Sequence, residues 1–290
     1  VREQIQDGNA VPQAGLSLDE YRELMLGQMK AMVPLGFPAD GFKTEHGGTG
    51  DVGAAVTAIE TLGYGDLSLM VKAGVQWGLF GGAVENLGTQ YHHDTYVKGL
   101  IDLDVLGCFA MTETGHGSNV QELETTATYL PETDEFEIHS PTSSARKDYI
   151  GGAAAHARYA AVFAQLVTGG PDEEPEGRGV HCFVVPIRDE DGSDLPGVTT
   201  SDCGYKGGLA GVDNGRIMFD NVRIPAENLL NRYGDVAEDG TYTSSIESKN
   251  RRFFTMLATL VRGRLGVGAS AAGATRAGLA IAVKYANIRR

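Results

Sequence analysis

The residues able to do chemistry in this 290-residue chain gather in three short stretches. The first is Cys108-Phe-Ala-Met-Thr-Glu-Thr-Gly-His-Gly-Ser-Asn119, an apolar run that opens into a loop of hydroxyls and glycines. Gly115 and Gly117 let a flat ligand approach the backbone, while Thr112, Thr114 and Ser118 offer hydroxyls beside N–H groups that a turn can aim at an anion. The spacing is neither the dinucleotide Gly-x-Gly-x-x-Gly nor a P-loop, and taken alone the stretch also reads as a polar turn. The second stretch, Lys147-Asp-Tyr-Ile-Gly-Gly152, reads as a hairpin turn ahead of an apolar strand. The third, Val261-Arg-Gly-Arg-Leu-Gly-Val-Gly-Ala269, sets Arg262 and Arg264 among small residues of helical character. A guanidinium in that setting meets an anion, either a ligand phosphate or a carboxylate such as one on another subunit.

Other chemistries are excluded by what the chain lacks. Adjacent histidines point to different faces of a helix, so His92-His93-Asp94 reads as a solvated helix start capped by Asp94 and not as a metal pair. His116, His139, His156 and His181 stand singly, and no metal is assigned to them. There is no Gly-x-Ser-x-Gly elbow for a hydrolase nucleophile. The 3 cysteines, none in Cys-x-x-Cys spacing, suit a reducing compartment and argue against a disulfide scaffold or a zinc site. A net charge of −14 repels phosphate backbones and speaks against a nucleic-acid partner. No apolar run approaches the ~18 residues of a membrane span.

The elements that must position these stretches fall into three regions. Residues 1–104 read as an N-terminal helical domain. Ser17 is placed to cap a helix that Pro34 and Pro38 end, Asp51 to cap a second through Leu62, and Leu67–Leu87 and Asp94–Leu103 read as two more. Residues 105–225 switch to short β runs separated by turn residues, with regular spacing that predicts an antiparallel sandwich or barrel. Candidate strands are Leu106–Met111, Thr125–Leu130, Glu135–His139, Tyr159–Val167, Val180–Ile187, Gly197–Thr200 and Arg216–Phe219. Residues 226–290 return to helix, with Gly263, Gly266, Gly268, Ala271, Ala272 and Gly273 allowing close approach of another helix. The fold class is therefore α+β: helices, a β-domain, then the first helices of a C-terminal bundle. The chain begins Val-Arg-Glu-Gln without a secretory pattern and stops within a helical pattern, so it is expected to be part of a longer protein.

Longer strings add specificity. Ala110-Met-Thr-Glu-Thr-Gly-His-Gly-Ser118 is followed by Leu123-Glu-Thr-Thr-Ala-Thr-Tyr129 and Ser140-Pro-Thr142. His181-Cys-Phe-Val-Val-Pro-Ile-Arg188, Leu195-Pro-Gly197 and Asp213-Asn-Gly-Arg-Ile-Met-Phe-Asp-Asn-Val-Arg-Ile-Pro-Ala-Glu-Asn-Leu-Leu230 come next. Together these strings resemble the flavin-dependent acyl-CoA oxidases of the acyl-CoA dehydrogenase superfamily, from about Gly41 to the last residue.

The resemblance implies FAD as cofactor and fatty acyl-CoA and molecular oxygen as substrates. It implies that Thr112 hydrogen-bonds the pyrimidine side of the flavin and that Gly151 gives the ring a backbone contact. Ser118 would meet flavin and thioester-CoA, and Arg264 would lie beside CoA. Arg289 would reach the FAD diphosphate of the neighbouring subunit, which implies a homodimer. The implied reaction is α,β-desaturation of an acyl-CoA to the trans-2-enoyl-CoA, with oxygen reduced to hydrogen peroxide.

The family's base is a glutamate in the C-terminal helical domain. Some relatives carry it instead at the position of Gly263, so no catalytic residue is assigned within this chain. Asp148-Tyr149 stands where many relatives have tryptophan, and Val261 replaces an acidic residue that some dehydrogenases use for substrate. A dehydrogenase served by an electron-transfer flavoprotein, or a non-catalytic partner subunit of a heteromer, are the alternatives. The Ala/Gly-rich acidic composition favours a bacterial cytoplasmic protein over a eukaryotic peroxisomal one.

Overall fold

The computed structural model describes residues 1–289, apart from the side chain of Thr259; Arg290, the end of the expected last helix, lies outside the described residues. After a short α1 (Arg2–Gln6), α2 (Leu18–Met32) starts at a capping box. Ser17 Oγ accepts from the Glu20 N–H at 3.3 Å, and the Ser17 N–H donates to Glu20 Oε2 at 2.8 Å. α3 (Val52–Leu62) is capped by Asp51, whose Oδ1 accepts from the Ala54 N–H at 2.8 Å. Both caps stand where side-chain oxygens were expected to satisfy the first free N–H groups.

α4 (Leu67–Ala73), a π-helical segment Gly74–Phe80 and α5 (Gly81–Leu87) run on as the long central helix. α6 (Gln90–His92), a second π segment His93–Val97 and α7 (Lys98–Asp102) follow. This last helix starts earlier than expected, and Asp94 is not its cap. Thr89 caps it, and His92 is buried, its Nε2 2.9 Å from the Glu227 carbonyl. The reading of His92-His93 as a solvated start is therefore corrected: both rings serve packing, with His93 stacked on His46 at 3.8 Å between centroids.

The middle region is a sandwich of two sheets sharing one apolar core. Its strands are β1 (Gly107–Ala110), β2 (Thr126–Leu130), β3 (Glu135–His139), β4 (Lys147–Gly151) and β5 (Tyr159–Thr168), then β6 (Glu176–Pro186), β7 (Val198–Asp202), β8 (Asn214–Phe219) and β9 (Val222–Pro225). One sheet runs β1-β5-β2-β3-β9 with β6 on β5, and the other β4-β8-β7. The expectation of purely antiparallel pairing needs correction in two places. β1 and β2 both pair parallel to β5, β1 along Tyr159–Val162 and β2 along Gln165–Val167. The chain leaves the sheet after β1, makes the hydroxyl-and-glycine loop, and re-enters as β2 beside the same strand. β4 and β9 were not expected as strands.

A hairpin of β10 (Asp235–Val236) and β11 (Tyr242–Thr243) leads to α8 (Lys249–Leu257) and α9 (Val261–Ile288). α9 lies close on α3. Ser270 Oγ donates to the Ile59 carbonyl at 2.7 Å, and a Cβ on Gly63 would stand 2.5 Å from the Ser270 carbonyl oxygen. Gly266 and Gly273 give this approach its room, as the small-residue pattern predicts. Among the described residues, Leu67–Leu87 and Lys249–Ile288 are long and apolar enough by composition to cross a bilayer, against the expectation of no such run. The first is mostly buried within the protein as its central helix.

Buried charge joins the helices to the sandwich. Lys72 of α4 pairs with Asp213, which is fully buried and also accepts from the His156 N–H at 2.9 Å. Arg22 of α2 forms a two-pronged pair with Asp202. Burial pushes the Asp213 carboxyl up, but His156 and the Lys72 ammonium outweigh it and hold it well below the usual carboxylate range. A depressed carboxylate contributes stability in full above its unfolded value of about 4 and loses it as pH falls through and below that value. Asp213→Asn is expected to cost about 3–5 kcal/mol at neutral pH by leaving Lys72 buried without a counter-charge. It should also flatten the acid limb of stability, read as urea midpoints between pH 3 and 7.

Candidate functional site

The loop after β1 is pinned to β4. Glu113 and Lys147 face each other in an isolated antiparallel bridge, the Thr114 N–H donates to the Arg146 carbonyl at 2.9 Å, and the Asp148 N–H to the Thr112 carbonyl at 3.1 Å. The two bridge residues also pair through their side chains, with Lys147 Nζ 3.0 Å from Glu113 Oε1 and both side chains fully buried. The ammonium further donates to the carbonyls of Met111 (3.2 Å) and Phe163 (2.7 Å). Phe163 lies on β5 between the pairings to β1 and β2, so Lys147 fills the gap that the loop leaves in the sheet. Glu113 in turn accepts from the N–H groups of Glu124 and Thr125 and from the Thr125 hydroxyl, which closes the far end of the loop. Burial pushes the Lys147 ammonium down to about 8, with Glu113 opposing.

Asp148 is the second anchor. Its carboxylate accepts from Thr114 Oγ1 (2.9 Å), Arg216 Nε (3.1 Å) and Arg146 (3.2 Å). Burial pushes this carboxyl up, but the Thr114 and Tyr149 hydrogen bonds and the two arginines hold it below its ordinary value. The register of β4 shifts between Lys147 and Ile150, and within that bulge Tyr149 takes φ of 57°. A tyrosine at positive φ is strained unless its neighbours hold it. Its N–H donates to Asp148 and its carbonyl accepts from Asn214, leaving a ring that is 66% exposed.

Thr112 and the Thr114–Ser118 turn lie at the Lys147 end of β4, and Gly151 closes the other end of the same strand. Thr112 is half-buried, and its hydroxyl donates to the Asp148 carbonyl at 3.0 Å, which leaves oxygen lone pairs free to accept. Ser118 is exposed. A Cβ on Gly151 would sit 3.0 Å from Val75 of the central helix. Val75 in turn lines a cavity of about 480 Å³, within the size range of small-molecule sites. Its walls are largely apolar and come from the Phe37–Phe42 segment, α3, the central helix and the first turns of α9.

Arg264 is exposed at that cavity and has no hydrogen bond or ion pair among the described residues. Arg289 is not brought to this site. It is exposed past the end of α9, where its guanidinium lies over the Tyr285 ring at 5.7 Å.

The sequence pattern did not single out Glu85, a buried carboxylate in the cavity wall. It accepts from the Lys43 N–H at 2.8 Å and lies 3.7 Å from Arg262, which itself donates to the Gly41 carbonyl at 2.6 Å. An acidic residue on an otherwise apolar helix face was the available signal. Glu113, His116 and Glu124 bring ligand atoms within 4.8 Å of one another, but the Glu113 oxygens are already taken by Lys147, Thr125 and the Glu124 N–H.

Residues 11–104 match the acyl-CoA dehydrogenase N-terminal domain, and residues 108–222 match the acyl-CoA dehydrogenase middle domain. The chain belongs to the acyl-CoA dehydrogenase family. Relatives that it matches over most of its length are named as acyl-CoA oxidases. It is 46% identical to the peroxisomal acyl-coenzyme A oxidase 2 of Arabidopsis thaliana, an alignment that takes in 95% of this chain and 40% of that protein. The crystal structure of acyl-CoA oxidase 1 from Yarrowia lipolytica superposes with a TM-score of 0.81 at 33% identity, covering 95% of this chain and 37% of that one.

Acyl-CoA oxidase-2 of Caenorhabditis elegans, solved with FAD, ascaroside-CoA and ATP, superposes with a TM-score of 0.68 at 26% identity, covering 90% of this chain and 38% of that one. The chain therefore spans about 40% of the length of the curated relative it matches. That relative is eukaryotic and peroxisomal by name, which lends the bacterial cytoplasmic expectation no support.

The Glu113–Lys147 pair yields a test. Glu113→Ala should destabilise the protein by about 3–5 kcal/mol, because the Lys147 charge is left buried and unpaired. Glu113→Leu combined with Lys147→Met should recover only part of that loss, because the Met111 and Phe163 carbonyls and the Glu124 and Thr125 N–H groups then lose their partners. Urea unfolding of the single and double variants reads both.

Proposed function

We propose that this chain forms the flavin and acyl-CoA binding portion of an FAD-dependent acyl-CoA oxidase. The observation that carries the reading is the wall shared by two sites: Gly151, on the strand to which the loop is pinned, packs on Val75, and Val75 lines the apolar cavity. A flat polar ring and an apolar chain would lie side by side there, as α,β-desaturation of an acyl-CoA needs.

The residues fit a flavin at the loop. Thr112, its own hydrogen already given to Asp148, accepts from a ring N–H on the pyrimidine side. Gly151 lets the ring come close to the backbone. The displayed Tyr149 offers its face to the ring where relatives use tryptophan. When bound, FAD supplies the acceptor for the β-hydrogen and its electron pair, which oxygen then takes up as hydrogen peroxide.

The protein's part is placement and electrostatics. Ser118 lies at the exposed end of the loop, where the thioester-CoA meets the ring. Arg264 has a free guanidinium at the cavity rim for a CoA phosphate. The apolar walls hold the chain and exclude water from the carbons that react. Arg289 stands on an exposed helix end, placed to reach the FAD diphosphate of a second subunit in a homodimer. We assign residues 1–104 to the helical domain that forms most of the cavity, 105–225 to the flavin-bearing β-domain and 226–290 to the start of the C-terminal helices. The names of the relatives favour the oxidase over the dehydrogenase reading and the peroxisome over the cytoplasm.

The deciding experiment adds a saturated acyl-CoA to the yellow full-length protein in air. Bleaching of the flavin with stoichiometric peroxide is expected; a flavin that bleaches and stays reduced in air would overturn the oxidase reading. Thr112→Val should weaken FAD binding by about 5–10-fold, the value of one hydrogen bond, as read by flavin fluorescence titration. Arg264→Ala should raise KM for acyl-CoA by ~10-fold or more with kcat little changed.

A further inference from the structure

The cavity owes its width to glycines that no close contact among the described residues requires. Gly74, Gly78 and Gly82 recur every four residues along the central helix, and all three line the cavity. A Cβ on Gly74 or Gly78 would meet no atom within 4 Å, and one on Gly82 only the end of Asn86 at 3.9 Å. Neighbouring glycines behave differently. A Cβ on Gly81 would fall 2.7 Å from Phe42, and one on Gly107 2.1 Å from Phe80. Those positions are glycine because the backbone must pack closely, whereas none of the three cavity glycines has a positive φ or a crowded Cβ. Glycine inside a helix costs stability, and what these three provide in return is empty space in the cavity wall. The middle one lies in the π-helical segment Gly74–Phe80, a distortion frequent at functional sites.

The shape of that space indicates what fills it. Eight residues separate Gly74 from Gly82, a rise of about 12 Å along the helix. The groove is therefore axial and suits a hydrocarbon lying along the helix better than one with lateral bulk. Over that length an extended chain places roughly ten carbons. The volume of about 480 Å³ leaves room for a chain of that length.

Resting on the acyl-CoA reading above, we propose that the substrate class is straight long-chain acyl-CoA and that Gly78 determines that specificity. A side chain at Gly78 would stand midway along the groove and shorten it, leaving the Gly151 side and the loop untouched.

The test compares wild-type full-length protein with Gly78→Leu and Gly78→Val across straight-chain acyl-CoAs of four, eight, twelve and sixteen carbons, read as peroxide release. For wild type, kcat/KM should be highest at twelve to sixteen carbons. In Gly78→Leu it should fall by at least tenfold at sixteen carbons and change by less than twofold at four, with Gly78→Val intermediate. Calorimetric binding of trans-2-hexadecenoyl-CoA and crotonyl-CoA, which already carry the double bond, should show the same selective loss without turnover. If Gly78→Leu keeps the wild-type chain-length profile in both measurements, the specificity role is overturned while the acyl-CoA reading stands. If wild type neither oxidises nor binds any acyl-CoA, that reading falls and takes this proposal with it.

Discussion

The site depends on one buried ion pair, Lys147 with Glu113. A sheet whose edge is left by one strand and rejoined by another exposes backbone carbonyls in the interval, and buried carbonyls without partners are costly. Lys147 meets that need directly, donating to Met111 on one side of the interruption and to Phe163 on the strand behind it. A lone ammonium in that position would be more costly still, and Glu113 supplies the counter-charge. Because Glu113 is itself the third residue of the loop and holds Glu124 and Thr125 at its end, neutralising the charge also fixes where the loop starts and stops. The hydroxyls of Thr112 and Ser118 are thus displayed on a turn whose two ends are tied to the core.

A second constraint decides what the loop faces. The central helix could lie against the sandwich at many rotations, but its buried polar residues accept few. Gln76 receives the Gly107 N–H at 2.9 Å and donates to the carbonyls of Leu100 and Val105. Lys72, one turn earlier, is tied to Asp213. These two residues fix one face of the helix on the β-domain, and Val75 beside them then falls on Gly151. The glycine stripe at 74, 78 and 82 follows on the cavity side. The contact between Gly151 and the cavity wall is therefore a consequence of polar satisfaction several residues away.

Much of this was legible in the sequence because it rests on local chemistry. Ser17 and Asp51 cap where short oxygen-bearing side chains precede apolar periodicity, and Pro34 and Pro38 close α2 as their missing N–H groups demand. The main strands were visible from their β-branched and apolar runs. β4 was not, because Asp148, Tyr149 and the two glycines carry turn chemistry and the strand is bulged at that point. The parallel pairing of β1 and β2 on β5 has no local signature, and neither does Lys147 with Glu113, 34 residues apart. His92 misled for a related reason: a histidine beside another histidine and an aspartate looks solvated until Thr89 and the Glu227 carbonyl arrive from elsewhere.

Asp148-Tyr149 shows how a carboxylate can hold a bulged strand in place. A large apolar ring at position 148 would stabilise the strand by packing. Here a carboxylate performs that task through Thr114, Arg146 and Arg216. Such an anchor is directional, so it fixes the bulge as well as the strand, and the bulge is what turns Tyr149 outward at positive φ. An exposed aromatic surface is thereby offered at position 149. The charge that accomplishes this stays balanced locally by two guanidinium groups, so the carboxylate beside the exposed Tyr149 ring is not left unpaired.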